Sequence, residues 1–129
     1  SKHNIPVEDA RVLLLGWSYK AEVGDPRETP AEPLAKALQQ RGISVSVYDP
    51  HIDPETFPDS VDVITDLSQA MGHHLAVLVT AHKACVELDW VSLAKSMSTP
   101  RIYDGRRVLD LGALSEQGWS CFAVGRPFS

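Results

Sequence analysis

Arg11-Val12-Leu13-Leu14-Leu15-Gly16, followed further on by Thr29-Pro30-Ala31-Glu32, decides the fold. An apolar run without alternation is what a strand needs when both of its faces are covered. Thr29 then suits a helix N-cap, Pro30 the first helical position, and Glu32 completes a capping box. Leu34 and Leu38 fall on one helical face beside the small Ala31 and Ala35, and Gly42 ends the helix. Pro33 removes one early helical hydrogen bond. Val45-Ser46-Val47-Tyr48 reads as the next strand, stopped by Asp49-Pro50. A strand, a helix and a strand of this kind make a unit with parallel strands.

The same alternation continues to the end. A short third strand is expected over Val61–Ile64, a short helix over Leu67–Met71, and a buried strand over Leu75–Val79. Trp90–Met97 places Trp90, Leu93, Ala94 and Met97 on one helical face. Arg101–Tyr103 reads as a strand before an Asp104-Gly105 turn, Leu111–Gln117 as a short helix broken by Gly118, and Trp119–Val124 as the last strand. Strands alternating with helices favour a parallel sheet covered on both faces. The expected fold is therefore α/β, a Rossmann-like doubly wound sheet of about six strands in the order 3-2-1-4-5-6.

The 129 residues suit one domain, read as a linker over 1–10 and a folded unit over 11–129. Hydrophobic residues at 43% and charged residues at 22% are ordinary for a globular chain. A net charge of −5 argues against a nucleic-acid partner, which calls for a basic face. It leaves room for a nucleotide ligand, since two or three local cations can hold one diphosphate. No apolar run reaches the roughly 18 residues of a membrane span. Two cysteines, Cys85 and Cys121, with no C-x-x-C pair, fit a reducing, cytoplasmic setting.

In an open α/β sheet, ligands bind beyond the carboxyl ends of the strands where strand order reverses. Here that point lies between the first and fourth strands. The loop after the first strand carries Tyr19, Lys20, Asp25 and Arg27; the loop after the fourth carries Thr80 and His82; the loop after the fifth carries Asp104, Arg106 and Arg107. The first and fifth strands should lie about 10 Å apart, two steps of roughly 4.8 Å. Lys20 and Arg106 can span that gap from both sides and meet on one anionic group, Lys as a point charge and Arg as a planar fork. For a single loop cation the ordinary alternative is a solvated surface charge. A dinucleotide fingerprint is absent, because Gly16 is followed by Trp17-Ser18-Tyr19-Lys20 rather than by G-x-G-x-x-G. Asp49 stands where a ribose-binding acid would, but without those glycines it reads as a turn former.

The stretch from Leu15 to Pro30, with Gly16-Trp17-Ser18-Tyr19-Lys20 and Asp25-Pro26-Arg27-Glu28-Thr29-Pro30, resembles a hallmark of the UDP-glucose/GDP-mannose dehydrogenase family. Val47-Tyr48-Asp49-Pro50 and Tyr103-Asp104-Gly105-Arg106-Arg107-Val108-Leu109-Asp110 match it further along, in family order. Thr80-Ala81-His82 and Leu88-Asp89-Trp90 match more loosely. The resemblance implies a C-terminal, UDP-binding domain of a nucleotide-sugar 6-dehydrogenase. It implies that Tyr19 and Lys20 contact the nucleotide sugar, that Arg106 reaches it near its phosphates, and that Arg27 reaches the pyrophosphate of NAD, held mainly by another domain. The implied reaction is a two-step oxidation of a sugar C6 alcohol to the acid with two NAD. A cysteine thiolate in a preceding G-F-G-G-S-C-x-P-K-D motif attacks the aldehyde to form a thiohemiacetal and then a thioester.

This chain carries no such motif, so catalytic residues are expected elsewhere and the piece alone should be inactive. Ser120-Cys121-Phe122 repeats only the Ser-Cys core and sits in an expected strand, so Cys121 reads as a buried structural residue, as does Cys85. His73, His74 and His82 lack partners at metal spacing, His51 reads as a loop residue, and no metal site is expected. The implied partners are a UDP-sugar, the other domains of the parent enzyme, and further copies in a homo-oligomer. Which sugar is bound stays open among UDP-glucose, UDP-N-acetylmannosamine, UDP-N-acetylglucosamine and GDP-mannose. A free-standing nucleotide-binding or regulatory module is the alternative that length alone permits.

Overall fold

The computed structural model describes residues 9–18, 20–23, 29–69 and 71–123. Six strands form one parallel sheet: β1 (Arg11–Leu15), β2 (Ser44–Tyr48), β3 (Asp62–Val63), β4 (Leu75–Leu78), β5 (Arg101–Asp104) and β6 (Ser120–Ala123), in the order β3-β2-β1-β4-β5-β6. This is the expected doubly wound order. β1 lies at the centre, with Val12 opposite Val45 of β2 and Leu75 of β4.

The unbroken apolar run of β1 is used on both sides. Val12 and Leu14 pack on one face with Val45 and Val47, beneath Ala31 and Ala35 of α1 (Ala31–Gln40). Leu13 and Leu15 pack on the other with Leu78 and Ile102, beneath α3 (Trp90–Ser96) and α4 (Leu111–Glu116). Leu13, Leu14 and Leu15 are fully buried, each worth about 1.5–3 kcal/mol relative to exposure. Trp90 and Trp119 close the second face edge to face, 5.6 Å apart, and the Trp119 indole donates to the Trp90 carbonyl at 3.0 Å.

Several element boundaries differ from the sequence expectation, each for a local reason. Pro30 is already helical, at φ −67° and ψ −15°, and Thr29 Oγ1 accepts the Ala31 amide at 3.1 Å. Thr29 thus does the capping, while Glu32 lies toward Lys36 at 3.9 Å. The third strand shortens to Asp62–Val63 because the Val61 amide turns back to the Pro58 carbonyl. The expected helix at Leu67–Met71 is a single 3-10 turn, Leu67–Gln69. Trp119 is drawn out of β6 because its amide closes α4 on the Leu114 carbonyl. A one-turn helix, α2 (Lys83–Val86), stands where no element was expected.

Two glycines let the backbone crowd around the end of β4. Gly16 has φ +95°, and a Cβ there would sit 2.8 Å from both the Thr80 amide nitrogen and the Thr80 carbonyl oxygen. On the other side, a Cβ on Gly105 would sit 2.8 Å from the Leu78 carbonyl oxygen. Gly16→Ala is expected to destabilise the fold by at least about 2 kcal/mol, read as a lower urea midpoint at constant slope. A neutral result would mean that this corner relaxes freely.

His73, just before β4, is buried with Nε2 2.9 Å from Ser46 Oγ and with Nδ1 lacking a partner among the described residues. Burial, with Arg11 and His74 nearby, pushes it down to about 4 from an ordinary 6.5. The unfolded chain therefore binds this proton first. Stability from His73 is complete above pH 6.5 and drains as pH falls toward 4, by a ceiling of roughly 3 kcal/mol. Denaturation between pH 7 and 5 should show that slope in the native chain and a flatter one in His73→Asn; equal slopes would remove His73 from the account.

Candidate functional site

The carboxyl edge of the sheet is shaped by two buried aspartates, one on each side of β4. Asp49 follows β2 and is 5% exposed. Its Oδ2 accepts the Trp17 amide (2.8 Å), the Ser18 amide (2.8 Å), the Ser18 hydroxyl (2.7 Å) and His82 Nε2 (2.9 Å). Its Oδ1 accepts the His51 amide at 2.8 Å. Burial alone would raise this carboxyl. The hydrogen bonds from the Ser18 hydroxyl and from the Trp17, His51 and Ser18 amides outweigh it and hold the group below its ordinary value of 3.8. Asp49 does form the expected turn, through His51, but its larger task is to bind the corner after β1.

His82 extends the same hold. Its ring is fully buried, with Nε2 toward Asp49 and Nδ1 accepting the Glu22 amide at 2.8 Å. These partners assign the neutral ring with its proton on Nε2. The Thr80 hydroxyl donates to the Ser18 carbonyl at 2.7 Å. The segment Trp17–Glu22, which carries Lys20, is thus tied to the loops after β2 and β4.

Asp104 does the equivalent work at the end of β5. It is 1% exposed, and it accepts the Arg106 amide (2.9 Å) and the Arg107 amide (2.7 Å) on Oδ1 and the Leu109 amide (2.8 Å) on Oδ2. Arg107 is held at φ +58°, a left-handed conformation costing on the order of 1 kcal/mol. The turn that presents Arg106 is therefore prescribed by its backbone.

Lys20 and Arg106, the two cations expected to act together, both lie exposed on loops at this edge, and their parent strands β1 and β5 flank β4. Tyr19, Asp25 and Arg27 lie outside the described residues. Cys85 and Cys121 are free and buried, as expected; burial pushes the Cys85 thiol up to about 12 and raises Cys121 as well. A cavity of about 530 Å³ lies apart from the two cations, between the 3-10 turn at Leu67 and α3, with Tyr48, Asp66, Ser68, Asp89 and Ser92 in its wall.

A dinucleotide does not fit this edge in the Rossmann manner. The amides of Gly16, Trp17 and Ser18, which would cradle a pyrophosphate, all donate to protein acceptors. Asp49, the acid in the ribose position, is occupied by the corner itself. Sequence reasoning reached the missing glycines but missed the roles of Asp49, His82 and Asp104. The signal available for the two aspartates was their place where a strand gives way to a turn, Asp49 just after β2 and Asp104 at the end of β5. For Asp49→Asn the expected loss of stability is about 2–4 kcal/mol in urea unfolding. Because the folded carboxyl lies below 3.8, that contribution is present above pH 3.8 and lost as pH falls below it, and the variant should lack this acid limb. A loss under about 0.5 kcal/mol would release Asp49 from this role.

Residues 13–111 match the UDP binding domain of the UDP-glucose/GDP-mannose dehydrogenase family. The UDP-glucose 6-dehydrogenase of Drosophila melanogaster is 29% identical over 140 residues, covering 95% of this chain and 29% of the relative. UDP-glucose 6-dehydrogenase TuaD of Bacillus subtilis is 30% identical over 125 residues, covering 94% of this chain and 27% of the relative. Among solved structures, an NDP-N-acetyl-D-galactosaminuronic acid dehydrogenase from Methanosarcina mazei superposes with a TM-score of 0.84 at 25% identity, covering 97% of this chain and 26% of that one. A UDP-D-ManNAc dehydrogenase from Pyrococcus horikoshii gives 0.76 at 25% identity, covering 97% and 28%. The chain therefore spans less than a third of each of these relatives. With its sheet order, its Asp-Gly-Arg-Arg turn and a match over most of its length, the chain belongs to the UDP-glucose/GDP-mannose dehydrogenase family and carries that family's UDP-binding C-terminal domain.

Proposed function

We propose that the chain supplies the diphosphate-binding wall of the substrate pocket in an NAD-dependent UDP-sugar dehydrogenase, which oxidises a sugar C6 alcohol to the carboxylate. The observation that carries this reading is the pair of exposed cations, Lys20 and Arg106, on two loops whose amides buried aspartates bind on either side of β4. A diphosphate needs opposed cations whose positions are set before it arrives, because ordering them on binding subtracts from affinity. Arg106 supplies the bidentate fork and Lys20 the compact charge. Tyr19 is assigned to the nucleotide sugar as well.

NAD is assigned to the rest of the parent enzyme, with Arg27 reaching its pyrophosphate, because the amides of Gly16, Trp17 and Ser18 already donate to protein acceptors. No step of the chemistry is assigned to this chain. Its two cysteines are buried thiols with raised proton affinity, the reverse of what a thiolate nucleophile requires. The oxidation is assigned to a cysteine in the preceding part of the parent, and the working form to an assembly of several copies.

Calorimetric titration of UDP into the chain is the direct test. Lys20→Ala and Arg106→Ala are each expected to weaken binding about tenfold or more, with uridine binding poorly to all three and affinity falling as salt rises. Equal UDP affinity in the native chain and both variants would remove the site. NAD is expected to give no comparable heat.

A further inference from the structure

The side chains of Glu22, His51 and His82 meet beside Asp49. Glu22 Oε2 lies 3.1 Å from His51 Nε2 and 3.5 Å from His82 Nδ1. The three ligand-type atoms lie within 4.8 Å of one another, and the two imidazoles stack with centroids 4.3 Å apart. A tetrahedral ion with bonds of about 2.0–2.1 Å sets neighbouring ligand atoms about 3.3 Å apart. The two spacings from Glu22 bracket that value.

We propose that Glu22, His51 and His82 form a three-ligand site for a transition-metal dication of the zinc class, filled when the Glu22 amide releases His82. Two imidazoles and one carboxylate suit zinc and its late first-row neighbours, whereas magnesium and calcium call for an all-oxygen shell. The other nitrogen of His82 donates to the Asp49 carboxylate at 2.9 Å. That is the carboxylate–histidine arrangement which orients a metal-bound ring and leaves the lone pair on its other nitrogen as the one that coordinates. Here it also makes Nδ1 the coordinating atom. The Lys83 amide, at 3.2 Å, holds the Glu22 carboxyl below its ordinary value against the effect of burial, with His51 helping. The charge of Glu22 and that of Asp49 balance a dication.

The competitor is visible in the structure. The Glu22 amide occupies the His82 lone pair at 2.8 Å, so the ion and this hydrogen bond exclude each other. Glu22 sits at φ +62°, a strained conformation for a side chain other than glycine, and leaving it offsets part of the lost hydrogen bond. Its side chain is 52% exposed and that of His51 is 35% exposed, which gives an ion an entry path. The site is accordingly of modest affinity, and filling it shifts the backbone two residues from Lys20. This assignment stands apart from the diphosphate reading, since neither Lys20 nor Arg106 is a ligand.

Cobalt(II) absorption with zinc competition, in the native chain and in His51→Ala and Glu22→Gln, tests it. Both substitutions are at exposed side chains, and circular dichroism confirms that the variants are folded. The native chain is expected to bind one equivalent, to give the intense visible bands of a four- or five-coordinate cobalt site, and to lose them on addition of zinc but not of magnesium. Each variant is expected to bind at least tenfold more weakly. Zinc binding that is undetectable at submillimolar metal, unchanged in both variants, or accompanied only by the weak bands of octahedral cobalt would overturn the site. UDP affinity measured on the same samples keeps the two readings separable.

Discussion

Four donors converge on a single carboxylate oxygen of Asp49 in a place that water barely reaches, and the geometry of the whole carboxyl edge follows from that convergence. A backbone that leaves a central strand into a bulky corner has amides to satisfy and no neighbouring strand to accept them. Asp49, the first residue after β2, provides the acceptor. The same atom then fixes the tautomer of His82, and His82 in turn receives the Glu22 amide. A single ionised group therefore joins the loops after β1, β2 and β4. Asp104 repeats the device with three amides after β5. Both aspartates lie inside the protein, and the cations Lys20 and Arg106 on the loops they bind lie outside.

This is a different use of a doubly wound sheet from the one that holds a dinucleotide. There, glycines free the first-turn amides for phosphate and the acid after the second strand binds a ribose. Here the turn contains Trp17, packed edge to face on Phe57 at 5.7 Å, and its amides face inward. The exposed groups of the described corner are then side chains, Lys20 among them, while the buried carboxylates of Asp49 and Asp104 take up backbone amides.

Much of the architecture was readable from the order of residues. The unbroken Val12–Leu15 run announced a strand covered on both faces, and the alternation of elements led to the strand order that is observed. The short elements were not readable. β3 is two residues long and α2 four, too short for any periodicity to register. Lys20 and Arg106 could be placed on one edge because topology alone dictates which loops face it. Asp49 was harder, because a turn-forming aspartate and a buried acceptor of four donors look identical until the corner of β1 is folded over it. The grouping of Glu22, His51 and His82 was invisible for a similar reason: each comes from a different loop, and only the tertiary fold brings them together.

The central position of β1 also sets the order of events during synthesis. Val12 pairs with Val45 on one side and with Leu75 on the other. A ribosome releasing about 5–20 residues per second therefore exposes β1 and its first neighbour seconds before the second neighbour emerges. In that interval the edge of β1 that β4 will cover holds unpaired backbone groups, which any extended segment can meet first.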